Sequence, residues 1–118
     1  MIRYIICSVL ILFLFGNCKK EDPVNKITFT IYESSAASPS YNVTYTSDKS
    51  GGTTQINSSE INWSSGEILL NQSQWITMTT DCTDPTFVIR MSVYVNGHLW
   101  ERRDMTNPTS TMSIAGIP

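Results

Sequence analysis

Paired cysteines are missing from this chain. Three cysteines occur, Cys7, Cys18 and Cys82, and the first two lie within or at the edge of one apolar segment. Cys82 stands alone after them, so no disulfide framework is available. A cysteine zinc site, which needs several ligands, is excluded by the same count. Histidine is nearly absent as well, His98 being the only one. Nucleophilic catalysis would require that imidazole to meet both a nucleophile and an orienting carboxylate. The many Ser and Thr residues form no Gly-x-Ser-x-Gly elbow, and no paired-carboxylate motif is present. The sequence therefore predicts a non-enzymatic chain with no catalytic residues, no metal and no cofactor. Basic charge is not in surplus either: eight Lys and Arg stand against ten Asp and Glu. That leaves no cationic footprint for nucleic acid. Downstream of residue 18 no stretch of ten or more residues carries helical spacing of apolar positions, which removes the helical fold classes.

One long hydrophobic run is present, and it sits at the N-terminus. Arg3 supplies a positive charge, Ile5 to Gly16 is almost uninterrupted apolar sequence, and Asn17-Cys18-Lys19-Lys20-Glu21-Asp22-Pro23 ends it abruptly. A charged start followed by a short apolar run is the physical pattern of an export signal. Twelve residues at helical rise reach about 18 Å, short of the ~30 Å hydrocarbon core, so a transmembrane span is disfavoured. The boundary Leu14-Phe15-Gly16-Asn17-Cys18 resembles a bacterial lipoprotein signal of the Bacteroidetes group, where a Cys-Lys-Lys-acid start is common. Phe15 and Asn17 depart from the usual residues at their positions. The resemblance implies cleavage before Cys18, fatty-acyl chains of the palmitate class on that cysteine, and a lipid-anchored protein of the cell envelope. The expected organisation is a signal peptide over 1–17, a polar tether over 18–25 and one domain over 26–118. With Arg3 removed, the mature chain is one unit more acidic than the net −2 of the whole.

What the rest has in quantity is Thr, Ser, Ile, Val, Tyr and Trp, residues that fit a pleated, half-buried surface. Alternation predicts strands over Lys26–Glu33, Tyr41–Ser47, Thr53–Asn57, Glu60–Trp63, Glu67–Leu70, Gln74–Thr80, Phe87–Val95, His98–Arg103 and Thr109–Ala115. Asp48 to Gly52 reads as a hairpin connection, and Asn96-Gly97 as a type I′ turn. A two-residue turn there pairs Val95 with His98, Tyr94 with Leu99 and Val93 with Trp100. Trp100 is thereby expected on the face of Val93 and Met91, in the core, as is Trp63. Many short strands with regular turns predict an all-β domain, a small immunoglobulin-like β-sandwich.

Tyr41-Asn-Val-Thr-Tyr45, the Gly51-Gly52 turn, Ile61-Asn-Trp63 and Val93-Tyr-Val-Asn-Gly97 occur in an order and at distances that resemble the extracytoplasmic domain of the mycobacterial MmpS family. The resemblance covers about 42–103. Asn62 stands where that family tends to have Pro, and Asn96 where it tends to have Asp. It implies a small β-sandwich with an accessory role beside a lipid exporter, anchored here by lipid instead of a membrane helix.

Asp81, Asp84 and Asp104 lack the ligand spacing and the glycine of a calcium loop, and Asp84-Pro85 reads as a turn. The Asn-x-Ser/Thr triplets, Asn42-Val-Thr44 among them, are expected by chance in so Asn-, Ser- and Thr-rich a chain. The expected docking face is Arg90, Tyr94, Leu99 and Arg103, opposite the core face of their hairpin. Its expected partner is an envelope protein, and the alternative is a carbohydrate or other small ligand. Cys18→Ala should abolish incorporation of labelled fatty acid and leave an uncut or mislocalised precursor. Processing before position 18 and sedimentation with membranes in that variant would contradict the lipid anchor.

Overall fold

Strands form in this chain where every second residue can be buried. The structure, a computed structural model, describes residues 23–35, 39–106 and 111–118. The expected signal segment, Cys18 and most of the tether lie outside the described residues, as do Thr109 and Ser110 of the last expected strand. Among the described residues nine strands follow in chain order: β1 (Val24–Glu33), β2 (Tyr41–Thr46), β3 (Thr53–Ser58), β4 (Asn62–Ser64), β5 (Ile68–Asn71), β6 (Ile76–Asp81), β7 (Val88–Val95), β8 (His98–Thr106) and β9 (Met112–Gly116). Among the described residues no helix is long and apolar enough to cross a membrane.

Two antiparallel sheets pack face to face, as the all-β reading expected. In the first, β1 pairs with β7, β7 with β8, and the other edge of β1 is shared by β4 and β5. The second runs β3-β2-β6-β9. The chain leaves β6 for the β7–β8 hairpin of the first sheet and then returns to pair β9 with β6. Ile27, Phe29 and Ile31 of β1, Val43 of β2, Met78 of β6, and Met91 and Val93 of β7 are all buried. Aromatic rings bridge the layers. Phe29 lies 5.3 Å from Tyr45, Tyr45 lies 5.5 Å from Trp63, and Tyr41 lies 5.8 Å from Phe87, centroid to centroid. Tilted pairs at such distances add about 0.5–1.5 kcal/mol each beyond their area burial.

Several boundaries differ from expectation. β1 begins at Val24, inside the expected tether, because Val24 and Asn25 find partners in Asn71 and Leu70 of β5. β4 starts at Asn62, leaving Ile61 exposed. Phe87 is buried yet precedes β7, and β8 runs on to Thr106.

The β7–β8 turn is as expected, with φ of +51° at Asn96 and +80° at Gly97. It is tied to β1: the Asn96 amide donates to the Lys26 carbonyl at 2.8 Å, and the Lys26 amide donates to Asn96 Oδ1 at 2.9 Å. The expected register holds only as far as Tyr94–Leu99. It then shifts by one residue, so Val93 pairs with Glu101, Ser92 with Arg102 and Met91 with Arg103. Trp100 is the extra residue of a bulge on an edge strand, where a bulge adds twist and blunts further pairing. Trp100 remains on the core side but is half-buried at the margin of the sandwich, as is Trp63.

Trp100 instead covers Gly116 of β9. A Cβ at Gly116 would stand 3.1 and 3.2 Å from two ring carbons of Trp100, closer than ordinary packing. Gly116→Ala should therefore cost about 1–3 kcal/mol by overpacking. In a Trp100→Ala background the same change should cost less, leaving only the part that comes from the φ of +158° at Gly116. Urea melts of the four proteins of this cycle measure the coupling, and additive costs would contradict the contact.

Candidate functional site

Burial of one face of β1 sends the other to solvent. Lys26, Thr28, Thr30 and Tyr32 alternate outward between the core residues. The register of the first sheet then lays neighbours beside them in rows. Thr30 stands between Ser64 of β4 and Ser92 of β7, and Arg102 of β8 continues that row beyond Ser92. Tyr32 stands between Asn62 and Arg90, with Asp104 beyond. Thr28 faces Tyr94, which faces Leu99.

The middle row consists of small hydroxyl residues flanked by larger side chains, and it forms the floor of an open groove of about 390 Å³. Ser64, Thr30 and Ser92 line its base, with the Thr30 hydroxyl 3.4 Å from the Ser92 carbonyl oxygen. Tyr32, Asn62 and Arg90 line one side and Tyr94 the other. Past the Tyr32–Arg90 row lies a second hollow of about 230 Å³, bounded by Ser34, Val88, Met105 and Thr106. Arg90 Nε donates to Asp104 Oδ1 at 2.9 Å, and Arg102 Nε lies 4.0 Å from the same oxygen. About half of each of these side chains is exposed. Exposed pairs contribute little to stability. Their guanidinium groups can therefore turn to an incoming acceptor at small cost.

Of the expected docking residues, Arg90 and Tyr94 line this groove. Leu99 shares the face but stands beyond Tyr94 in the same row, on the edge strand, and does not line it. Arg103 is misplaced in the expectation. The bulge at Trp100 turns it to the side from which Met91 enters the core, and it is exposed there at the sandwich margin. Arg102 occupies the outward position instead. Tyr32, Thr30, Ser92, Asn62 and Ser64 escaped sequence reading. Their one signal was the outward phase of strands whose inward phase was plain.

The acidic residues have local structural tasks. The Asp48 carboxylate accepts from the Ser50 hydroxyl at 2.6 Å, the Ser50 amide at 2.9 Å and the Gly52 amide at 2.8 Å, closing the β2–β3 turn. Gly51 supplies a φ of +88°, and a Cβ on Gly52 would collide with the Asp48 carboxylate. Asp84 accepts from the Thr86 hydroxyl and amide at 2.6 and 2.8 Å. Hydrogen bonding, led in each case by the hydroxyl, holds both carboxyls below the ordinary aspartate range. Asp81 accepts from Asn42 Nδ2 at 3.0 Å. Among the described residues no three His, Cys, Asp or Glu side chains gather to hold a metal ion.

Elsewhere, Tyr41 donates its hydroxyl to the Glu60 carbonyl at 2.8 Å. Burial, helped by the charges of Glu33 and Glu60, raises its pKa against the opposing hydrogen bond with Ser58. Glu33 is buried, with Oε1 accepting from the Ser35 amide at 3.0 Å and Oε2 without a partner among the described residues. Cys82 is half-buried with its thiol 3.1 Å from the Ser40 carbonyl oxygen, and His98 is exposed beside its turn. No protein-family model and no curated protein matches this chain.

The Asp48 turn has a pH signature. A carboxyl whose folded pKa is lowered contributes stability that is present above its unfolded value, near 4, and is lost as pH falls through the folded value. Asp48→Ala should therefore be less stable than wild type at pH ~7, and the gap should narrow at pH ~2–3. Urea melts at the two pH values check this, and a gap that widens in acid would contradict it.

Proposed function

We propose that this chain is an exported lipoprotein, held in the cell envelope by acyl chains on Cys18, whose β-sandwich is a non-catalytic interaction module. Its working surface is the outer face of the first sheet, and its partner is an envelope protein. The observation that carries this reading is the groove between Tyr32 and Tyr94, with Arg90 and Arg102 beside it, which is open to solvent among the described residues. Tyrosine and arginine are the residue types that most often anchor protein interfaces, because each combines a large rigid contact area with polar atoms. The resemblance to the MmpS extracytoplasmic domain is in keeping with a partner of the transporter class, and an immunoglobulin-like sandwich is a common frame for such docking. Fold alone would not assign the role.

A second reading is favoured by the groove's floor. Thr30, Ser64, Ser92 and Asn62 offer hydroxyl and amide groups between two aromatic rings. That is the chemistry of a carbohydrate site, in which rings stack on sugar faces and short polar groups meet sugar hydroxyls.

One experiment separates the readings. The tagged, lipidated chain is expressed as wild type, Arg90→Ala, Tyr94→Ala and Arg103→Ala, and captured from native membranes in mild detergent. The docking reading predicts one envelope protein recovered with wild type and Arg103→Ala and lost with Arg90→Ala and Tyr94→Ala. Thermal melting of Arg90→Ala and Arg103→Ala should match wild type within roughly 0.5 kcal/mol. Recovery that depends on Arg103 instead would contradict the face assignment. No protein partner, together with glycan binding that is lost in Tyr32→Ala, would favour the carbohydrate reading.

A further inference from the structure

Six large apolar side chains stand exposed among the described residues: Tyr32, Ile61, Leu69, Trp75, Leu99 and Ile117. Tyr32 and Ile61 belong to the end of the sandwich where β1 finishes, since Tyr32 pairs with Asn62 and the Glu33 amide donates to the Ile61 carbonyl. The other four gather at the opposite end, where β1 begins. Leu69 pairs with Lys26, and Leu99 lies one pair from the Asn96-Gly97 turn that is bonded to Lys26. Trp75 follows Gln74, whose side chain accepts from the Asn71 amide, and Asn71 pairs with Val24. Ile76 pairs with Gly116, so Trp75 and Ile117 are the next residues out of the second sheet at that end. Trp75 is 59% and Ile117 55% exposed, although an indole and a branched alkyl chain both favour leaving water. Leu69 and Leu99 lie on the outer side of the first sheet, so the four side chains rim this pole from both faces.

The chain itself says what lies opposite this pole. Cys18 is six residues before Val24. Six residues span at most about 20 Å, whatever their conformation. Acyl chains on Cys18 therefore keep the start of β1 within that distance of the lipid.

We propose that this pole is a membrane-seating surface, with Trp75, Ile117, Leu69 and Leu99 resting among the lipid headgroups beside the anchor. Tryptophan is the residue most suited to that depth, since its ring is apolar and its N–H can meet the headgroup layer. The proposal rests on the lipid-anchor reading of Cys18. Seating fixes the orientation of the domain, turning the Tyr32 end of the groove away from the bilayer.

The test uses the lipidated mature chain in vesicles of phosphatidylethanolamine and phosphatidylglycerol carrying a brominated phosphatidylcholine. Bromine quenches only tryptophans near the bilayer. Wild-type emission should fall relative to unbrominated vesicles, and Trp75→Phe should lose most of that quenching, because Trp100 at the same pole is half-buried over Gly116 and Trp63 pairs with Ile31 towards the far end. Intact mass and co-sedimentation are read on the same samples. An acylated, co-sedimenting chain without quenching overturns the seating and leaves the anchor standing. Unchanged quenching in Trp75→Phe overturns the assignment of the pole. Unquenched Trp75 with dimers on cross-linking makes a second copy the occupant, and overturns the proposal. A chain without acyl groups on Cys18 overturns the anchor reading, and the seating with it.

Discussion

The two-residue period of β1 is the constraint on which the rest of this protein depends. Ile27, Phe29 and Ile31 point one way and are fully buried; Thr28, Thr30 and Tyr32 point the other way, and Thr30 and Tyr32 line the groove. Core and candidate site are thus two sides of one strand. A slip of one residue would exchange them, placing hydroxyls in the core and Phe29 in water. β1 is protected against that slip on both edges. β7 pairs with it over seven residues, and β4 and β5 share its other edge at separate positions. The Asn96 side chain and amide then lock the β7–β8 turn to Lys26 and Asn25.

Much of this was legible in the sequence because it is local. Alternation located nearly every strand, and Asn96-Gly97 announced its turn, since few other residue pairs accept positive φ twice in succession. What alternation cannot announce is pairing between distant strands. The return from β6 to β7 and β8 before β9, and the sharing of β1 by β4 and β5, arise from tertiary packing and leave no mark on the strands themselves. The groove escaped for the same reason. Thr30, Ser64 and Ser92 are ordinary outward residues until the register sets them side by side.

Arg103 shows how a single residue changes a site. Extrapolating the hairpin from its turn is sound for two pairs and then fails at Trp100, whose ring is accommodated over Gly116 by an extra residue in the edge strand. Every residue of β8 beyond that point changes side. Arg102 joins the groove face and Arg103 leaves it. The same bulge helps to end pairing on the exposed side of β8, where Glu101, Arg102, Arg103 and Asp104 add the charges that discourage edge-to-edge association. Trp100 therefore closes the sandwich margin and sets the composition of the outer face at once.

The central claim is this register, because the identity of the groove residues follows from it. Cross-strand proton contacts between β7 and β8, read by nuclear Overhauser spectroscopy on the folded domain, test it directly. The account predicts contacts from Val93 to Glu101 and from Met91 to Arg103, with Trp100 bulged out of the ladder and its ring protons near Gly116. An unbroken ladder pairing Val93 with Trp100 and Met91 with Arg102 would contradict it, and would return Arg103 to the face of Arg90 and Tyr94.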